Sequence, residues 1–186
     1  MSDSAVQPWT VERSEKVSDR RIFSVHMVRA RSQMRPHHSG EFVVLDVPDW
    51  VNVIAITADQ HVVFVEQYRH GSQSITLEIP GGMVDPGEGF VGAGLRELRE
   101  ETGFDAAEAT VIGVVEPNPA FQNNRCGTIL VHDVRQMMTQ DLDPNEEIRV
   151  RLIPLADIGD LIRSKTITHA LVVAAFQHLS LHQDAP

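Results

Sequence analysis

The chain has 186 residues, 42% of them hydrophobic and 23% charged, which is enough for one soluble domain with a buried core. Its net charge of −10, with no run of Lys and Arg, argues against nucleic acid and anionic membranes as partners. The single cysteine, Cys126, excludes an intrachain disulfide and fits a reducing compartment. It reads as a small buried residue rather than a nucleophile.

In chain order, the opening stretch 1–21 is polar and shows no apolar leader. Strands are predicted at 21–30, 41–47, 51–57 and 61–68, rich in β-branched residues, with a hairpin turn at Asp59-Gln60. A short strand at 74–80 closes on Pro80. A helix is predicted from Glu88 to Thr102, with Val91, Leu95 and Leu98 on one stripe and Gly103 as its stop. Strands follow at 109–117, 127–134 and 147–154, then a helix at Leu155–Arg163. A last helix is expected to start at a Thr168 cap and run through "HALVVAAFQHLSLH". Its apolar run is too short to cross a bilayer, so the chain is expected to be cytoplasmic. Strands on both sides of one central helix predict an α/β/α sandwich around a mixed sheet, not a doubly wound fold.

The stretch "GGMVDPGEGFVGAGLRELREETGF", Gly81–Phe104, places Glu97, Glu100 and Glu101 within about one helical turn. Such a cluster is either screened by water on an outer face or has something positive among its members. Arg96 and Glu100 are spaced to pair as on any exposed helix. Glu97 and Glu101, however, share one face, and Glu100 flanks it. Three clustered carboxylates suit a hard divalent cation such as Mg2+ or Mn2+. The preceding glycines let backbone approach a metal or phosphate closely. A cation there would offset the repulsion between an acidic protein and an anionic substrate.

The spacing of Gly82, Glu88, Arg96, Glu97, Leu98, Glu100, Glu101 and Gly103 resembles the Nudix box, with Phe104 departing from its final aliphatic position. The resemblance implies a Nudix-type sandwich (α/β, α+β) as one domain over 1–186. In it, about 1–48 would form an antiparallel strand extension that dimerises, and about 49–186 the catalytic core. It implies Glu97 and Glu101 as main metal ligands, Glu100 as a third ligand or as the holder of a water or Arg96, and the Gly81 carbonyl as a further ligand. Arg96 would orient the glutamates. Glu88 would either brace the loop or act as a dipole partner of the helix N-terminus.

Outside the box, "VEQYRHG", "LEIPGGMVDPGE", "NPAFQNNRC" and "DPNEEIRV" resemble the ADP-ribose and nucleotide-sugar pyrophosphatase branch. That implies Arg69 as a phosphate contact, Glu78 as a residue that lines the site or pairs with an arginine, and Gln122, Asn124 and Arg125 as sugar or nucleotide contacts. The late loop would deliver one carboxylate that joins the metal cluster and deprotonates the attacking water, Glu146 first and Glu147 second. The expected substrate is a nucleoside diphosphate sugar and the expected assembly a homodimer. The alternatives are a Nudix hydrolase of a nucleoside triphosphate, a dinucleoside polyphosphate or an RNA 5′ end, and a nucleotide-sugar-binding module without catalysis. The missing basic patch argues against RNA, and the intact carboxylates argue against a pure binding module.

Overall fold

The computed structural model describes residues 5–183. They fall into two compact units, one of residues 5–48 with 116–124 and one of 49–115 with 125–183.

The first unit holds three antiparallel strands, β1 (Trp9–Arg20), β2 (Phe23–Ser32) and β3 (Ser39–Asp46), in the order β1-β2-β3. The sequence pattern missed β1, because almost every one of its residues is exposed and no apolar alternation marks it. Cross-strand partners hold it instead: Glu12 faces Arg31 at 2.8 Å, and Trp9 meets Phe42 edge-on at 5.4 Å. Residues 116–124 join this unit through the Leu45 N–H, which donates to the Phe121 carbonyl at 2.7 Å.

The second unit is built on a seven-stranded mixed sheet. It contains β4 (Trp50–Ile56), β5 (His61–Arg69), β6 (Ser74–Glu78) and β7 (Gly81–Met83). Helix α1 (Phe90–Thr102) and the short β8 (Phe104–Asp105) come next, then β9 (Thr110–Val115), β10 (Cys126–His132) and β11 (Arg135–Gln136). After β12 (Ile148–Pro154), a 3-10 turn leads into α2 (Ile158–Arg163), and α3 (Ala170–Gln183) ends the unit. The sheet order is β12-β5-β4-β10-β9, with β4 and β10 parallel and the other pairs antiparallel.

Strand alternation sorts the core into two layers. Val51, Val53, Ala55 and Val63 face α1 through Ala93 and Leu98. Ile54, Ile56, Val62 and Phe64 pack with Val172, Ala175, Phe176 and Leu179 of α3, and Phe64 stacks on Phe176 at 5.8 Å. The second unit is thus the predicted α/β/α sandwich. Phe104 is buried in the α1 layer, so an aromatic ring does the packing expected of an aliphatic one.

Three predicted helix starts shift, that of α2 to Ile158 because Leu155–Asp157 form the 3-10 turn. Helix α1 starts at Phe90, since Gly89 at its N-cap is extended and Glu88 lies outside the helix. Helix α3 starts at Ala170, with the His169 carbonyl accepting from the Val173 N–H, so His169 and not Thr168 holds the cap position.

One topological detail positions the site. Strands β4 and β5 pair at Ile56 and Val62, next to the Asp59-Gln60 turn, where Gln60 takes a φ of 61°. Away from that turn, β6 pairs with β5 and β7 pairs with β4. Between them, the Pro80 carbonyl accepts from the Val53 N–H at 2.8 Å. The chain therefore crosses from β5 to β4 at Ile79–Gly81 and meets the face of the sheet that carries α1.

Leu98 is fully buried at the centre of the α1 layer. Leu98→Ala should cost about 3 kcal/mol of unfolding free energy. Urea denaturation checks this, and a loss under about 1 kcal/mol would show that α1 is not anchored there.

Candidate active site

The glutamate cluster is built by the register of one helix against one loop. Gly81 pairs with Asn52, and a Cβ at Gly81 would collide with the Val51 carbonyl. A Cβ at Gly82 would strike the Glu97 carboxylate. Gly81 is therefore required by its close approach to backbone, while a side chain at Gly82 would push aside the Glu97 carboxylate, itself a candidate ligand.

Something positive does sit among the carboxylates, and it is Arg96. One guanidinium nitrogen donates to Glu97 at 2.9 Å and Glu100 at 3.1 Å. The other donates to Glu88 at 3.1 Å and the Met83 carbonyl at 3.0 Å. Glu88 also accepts from the Asp85 N–H at 3.3 Å. It braces the loop from just ahead of the first turn of α1. Its pairing with Arg96 lowers the Glu88 pKa and raises that of Arg96 further. The ordinary helix pair of Arg96 with Glu100 and the orienting role of Arg96 are one network.

Glu101 lies deeper, only 4% exposed, and accepts from the Gly81 N–H at 3.0 Å. Burial first, then the charges of Glu97 and Glu146, push its pKa up to about 8 despite that hydrogen bond. Glu97 is raised too, by burial and by Glu100 and Glu146, against the pull of Arg96. Glu146 therefore stands within electrostatic reach of both carboxylates. It is exposed, and its carboxylate accepts from the Asp143 N–H at 3.2 Å. Glu147 is exposed as well.

Among the described residues, no three His, Cys, Asp or Glu side chains converge closely enough to hold a metal ion as they stand. Glu97 and Glu100 accept from Arg96, and Glu101 accepts from the Gly81 N–H. The donor set still fits a hard divalent cation: Glu97, Glu100, Glu101, Glu146 and the Gly81 carbonyl offer only oxygen. Two partly or fully buried carboxylates with raised pKa values are groups that a cation would return to the charged form.

The phosphate-contact candidates lie on the same side of the sheet. In β5, Arg69 follows Val63 and Val65 in phase, and Val65 faces Glu78 across the β5–β6 pair. Arg69 grips Glu78 with two bonds of 2.8 Å, while Thr76 donates to the same carboxylate at 2.6 Å. Burial pushes the Glu78 pKa up, but those bonds outweigh it and leave the group more acidic than usual. Glu78 is 2% exposed with both oxygens used, so it aims Arg69 rather than lining the site itself. The Arg69 side chain is 44% exposed, which leaves part of its fork free for an anion.

The "NPAFQNNRC" candidates fare differently. Gln122 is half-buried and joins Leu45 by an isolated parallel bridge in the first unit. Asn124 is 2% exposed and donates to the Pro48 carbonyl at 3.0 Å. Arg125 is held by Asp49 at 2.7 Å and lies 5.7 Å from the Phe90 ring, with its side chain 60% exposed. Polar residues in turns read alike in sequence whether they face a ligand or their own backbone. Cys126 is buried with its thiol pKa pushed up to about 12, first by burial and then by Asp49, as suits an inert residue. Sequence reasoning missed His169, whose Nδ1 is 3.7 Å from Glu78 and has no hydrogen-bond partner among the described residues. It also missed Gln140, which donates to the Glu101 carbonyl at 2.6 Å.

A pH dependence follows from the raised carboxyl. Metal-free Glu101 carries a proton below about pH 8 that a divalent cation must displace. Cation binding should release a proton, with affinity rising toward pH 8 and levelling above it. Calorimetry in buffers of different ionisation enthalpy measures this, and pH-independent binding without proton release would contradict it. The same raised pKa makes the metal-free fold lose stability as pH rises through that value.

A family model for the NUDIX domain matches residues 46–176. An ADP-ribose pyrophosphatase of Bacillus subtilis is 28% identical over 91% of this chain and 89% of its own length. The ADP compounds hydrolase NudE of Escherichia coli is 27% identical over 94% and 92%. A crystal structure of an ADP compounds hydrolase superposes with a TM-score of 0.84 over 96% of this chain and 95% of that one, at 24% identity, and so shares its fold. The box residues, the sandwich that carries them and the family match agree, and the chain belongs to the NUDIX family of hydrolases.

Proposed function

We propose that the chain is a pyrophosphatase of ADP-ribose or related nucleoside diphosphate sugars, dependent on Mg2+ with Mn2+ as a substitute. The single observation that carries this reading is the meeting of Glu97 and Glu101 with the Gly81–Gly82 loop on the sheet face that also bears Arg69. The names of relatives of nearly the same length support the substrate class. So does the absence of a basic run that would hold RNA.

Glu97, Glu101, Glu100 and the Gly81 carbonyl would hold the cations, which when bound supply charge to the diphosphate. Arg69, aimed by Glu78, binds a phosphate oxygen through the free part of its fork. Arg96 keeps Glu97 and Glu100 oriented. Glu146 accepts the proton of the attacking water as its oxygen bonds to phosphorus and the bridging P–O bond breaks. Its electrostatic reach to Glu97 and Glu101 favours it over Glu147. The products are a nucleoside monophosphate and a sugar phosphate, which for ADP-ribose are AMP and ribose 5-phosphate.

The assembly is a homodimer formed through the strand extension of about 1–48, whose Val11, Val17, Phe42 and Val43 are exposed. The rest of the chain is the catalytic core. A cytoplasmic location suits the lone buried thiol. No helix among the described residues is long and apolar enough to cross a membrane.

Product analysis on ADP-ribose, GDP-mannose, UDP-glucose, NADH and nucleoside triphosphates with Mg2+ should give the fastest turnover on ADP-ribose or another diphosphate sugar. Faster cleavage of triphosphates with ADP-ribose intact would assign a different Nudix substrate. Glu97→Gln and Glu101→Gln should each cost more than the roughly 10–100-fold typical of losing an outer-shell partner, with the fold preserved. Near-parental turnover in either variant would remove that residue from the ligand set.

A further inference from the structure

The segment that carries Glu146 is tied to the end of α1. Carbonyls in the last turn of a helix have no partner within it. Here the Arg99 carbonyl takes the Gly103 N–H at 2.8 Å, with Gly103 in the left-handed region at φ 75°. The next two carbonyls are served from a distance: the Asp141 N–H donates to Glu100 at 2.9 Å, and Gln140 Nε2 donates to Glu101 at 2.6 Å. The N–H groups of Met137 and Met138 both donate to the Gly103 carbonyl, at 2.9 and 3.2 Å.

Gln140 does something these backbone contacts do not. Its Nε2 also donates to the Ile148 carbonyl at 3.2 Å, where β12 begins. One side-chain amide thus joins both ends of the 141–147 loop to the backbone of Glu101. Within the loop, the Glu146 N–H donates to the Asp143 carbonyl at 2.9 Å, and the Glu146 carboxylate accepts from the Asp143 N–H. The loop is therefore a closed turn with its neck pinned at the residue whose carboxylate lies deepest in the site.

We infer that Gln140 is a positioning residue for hydrolysis: its amide closes the neck of the 141–147 loop on the Glu101 backbone and so holds Glu146 in register with Glu97 and Glu101. The inference rests on the reading of Glu146 as the proton acceptor. A primary amide suits the task because its nitrogen carries two donors and can serve two carbonyls at once. Glutamate has the same shape and no donor, and methionine fills similar space with neither donor nor charge. Displacing a proton acceptor by about 1 Å is enough to cost on the order of 100-fold in rate.

The test is steady-state kinetics on the full chain with Mg2+ and the best diphosphate sugar of the panel, together with Mn2+ affinity by spin resonance. The variants are Gln140→Met, Gln140→Glu, Glu146→Gln and the double variant Gln140→Met/Glu146→Gln. Both single Gln140 variants should lose about 10- to 100-fold in kcat, with KM and cation affinity within about twofold of the parent. The double variant should be no slower than Glu146→Gln alone, because the two residues act as one unit. Unchanged kcat in both Gln140 variants, a kcat loss that tracks weakened cation binding, or additive losses in the double variant would each overturn the inference. A Glu146→Gln enzyme as fast as the parent would remove the proton-acceptor reading and the inference with it, and that variant alone distinguishes this failure from the others.

Discussion

Burying carboxylates side by side costs free energy unless positive groups or N–H donors compensate them, and that constraint shapes the second unit. Arg96 answers it for Glu97, Glu100 and Glu88 with its planar fork, and the Gly81 N–H answers it in part for Glu101. The compensation is incomplete. Glu101 remains a weak acid, raised to about 8, so the site is biased toward taking up positive charge. A divalent cation completes what Arg96 begins, and a diphosphate is the natural third partner for that cation.

The sheet places these groups. Because β6 pairs with β5 and β7 with β4, the connection between them passes across the sheet and presents Gly81 to α1. The same crossing sets Glu78 under Arg69, so the metal-ligand candidates and the proposed phosphate contact are positioned by one short segment. Glycine is needed at Gly81 because the Val51 carbonyl occupies the space a Cβ would fill, and at Gly82 a Cβ would displace the Glu97 carboxylate. Leu98 anchors the opposite side of α1 in the core, which keeps the glutamate face turned to the loop.

Much of this was legible in sequence because it rests on fixed local spacing. Glu97 and Glu101 share a helix face by the helical repeat, and Gly103 marks the stop by its left-handed conformation. The long strands of the sandwich core show as β-branched runs. What escaped rests on partners far apart in the chain. Strand β1 carries polar residues that only its neighbours make into a strand. The Asp49 side chain claims Arg125, and Pro48 claims Asn124, each about 76 positions away. Gln140 sits in an unremarkable polar stretch, and only the fold brings it to the Glu101 carbonyl. Short pieces such as β7, β8 and β11 are set by tertiary pairing and leave no pattern of their own.

The central expectation is that a divalent cation beside Glu97 and Glu101 completes the compensation that Arg96 begins once a diphosphate is bound. Crystals grown with Mn2+ and the α,β-methylene analogue of ADP-ribose measure this directly through anomalous scattering. Manganese peaks beside the Glu97 and Glu101 carboxylates, with the analogue bound, are the predicted result. A bound analogue with no anomalous peak beside those two side chains would contradict it.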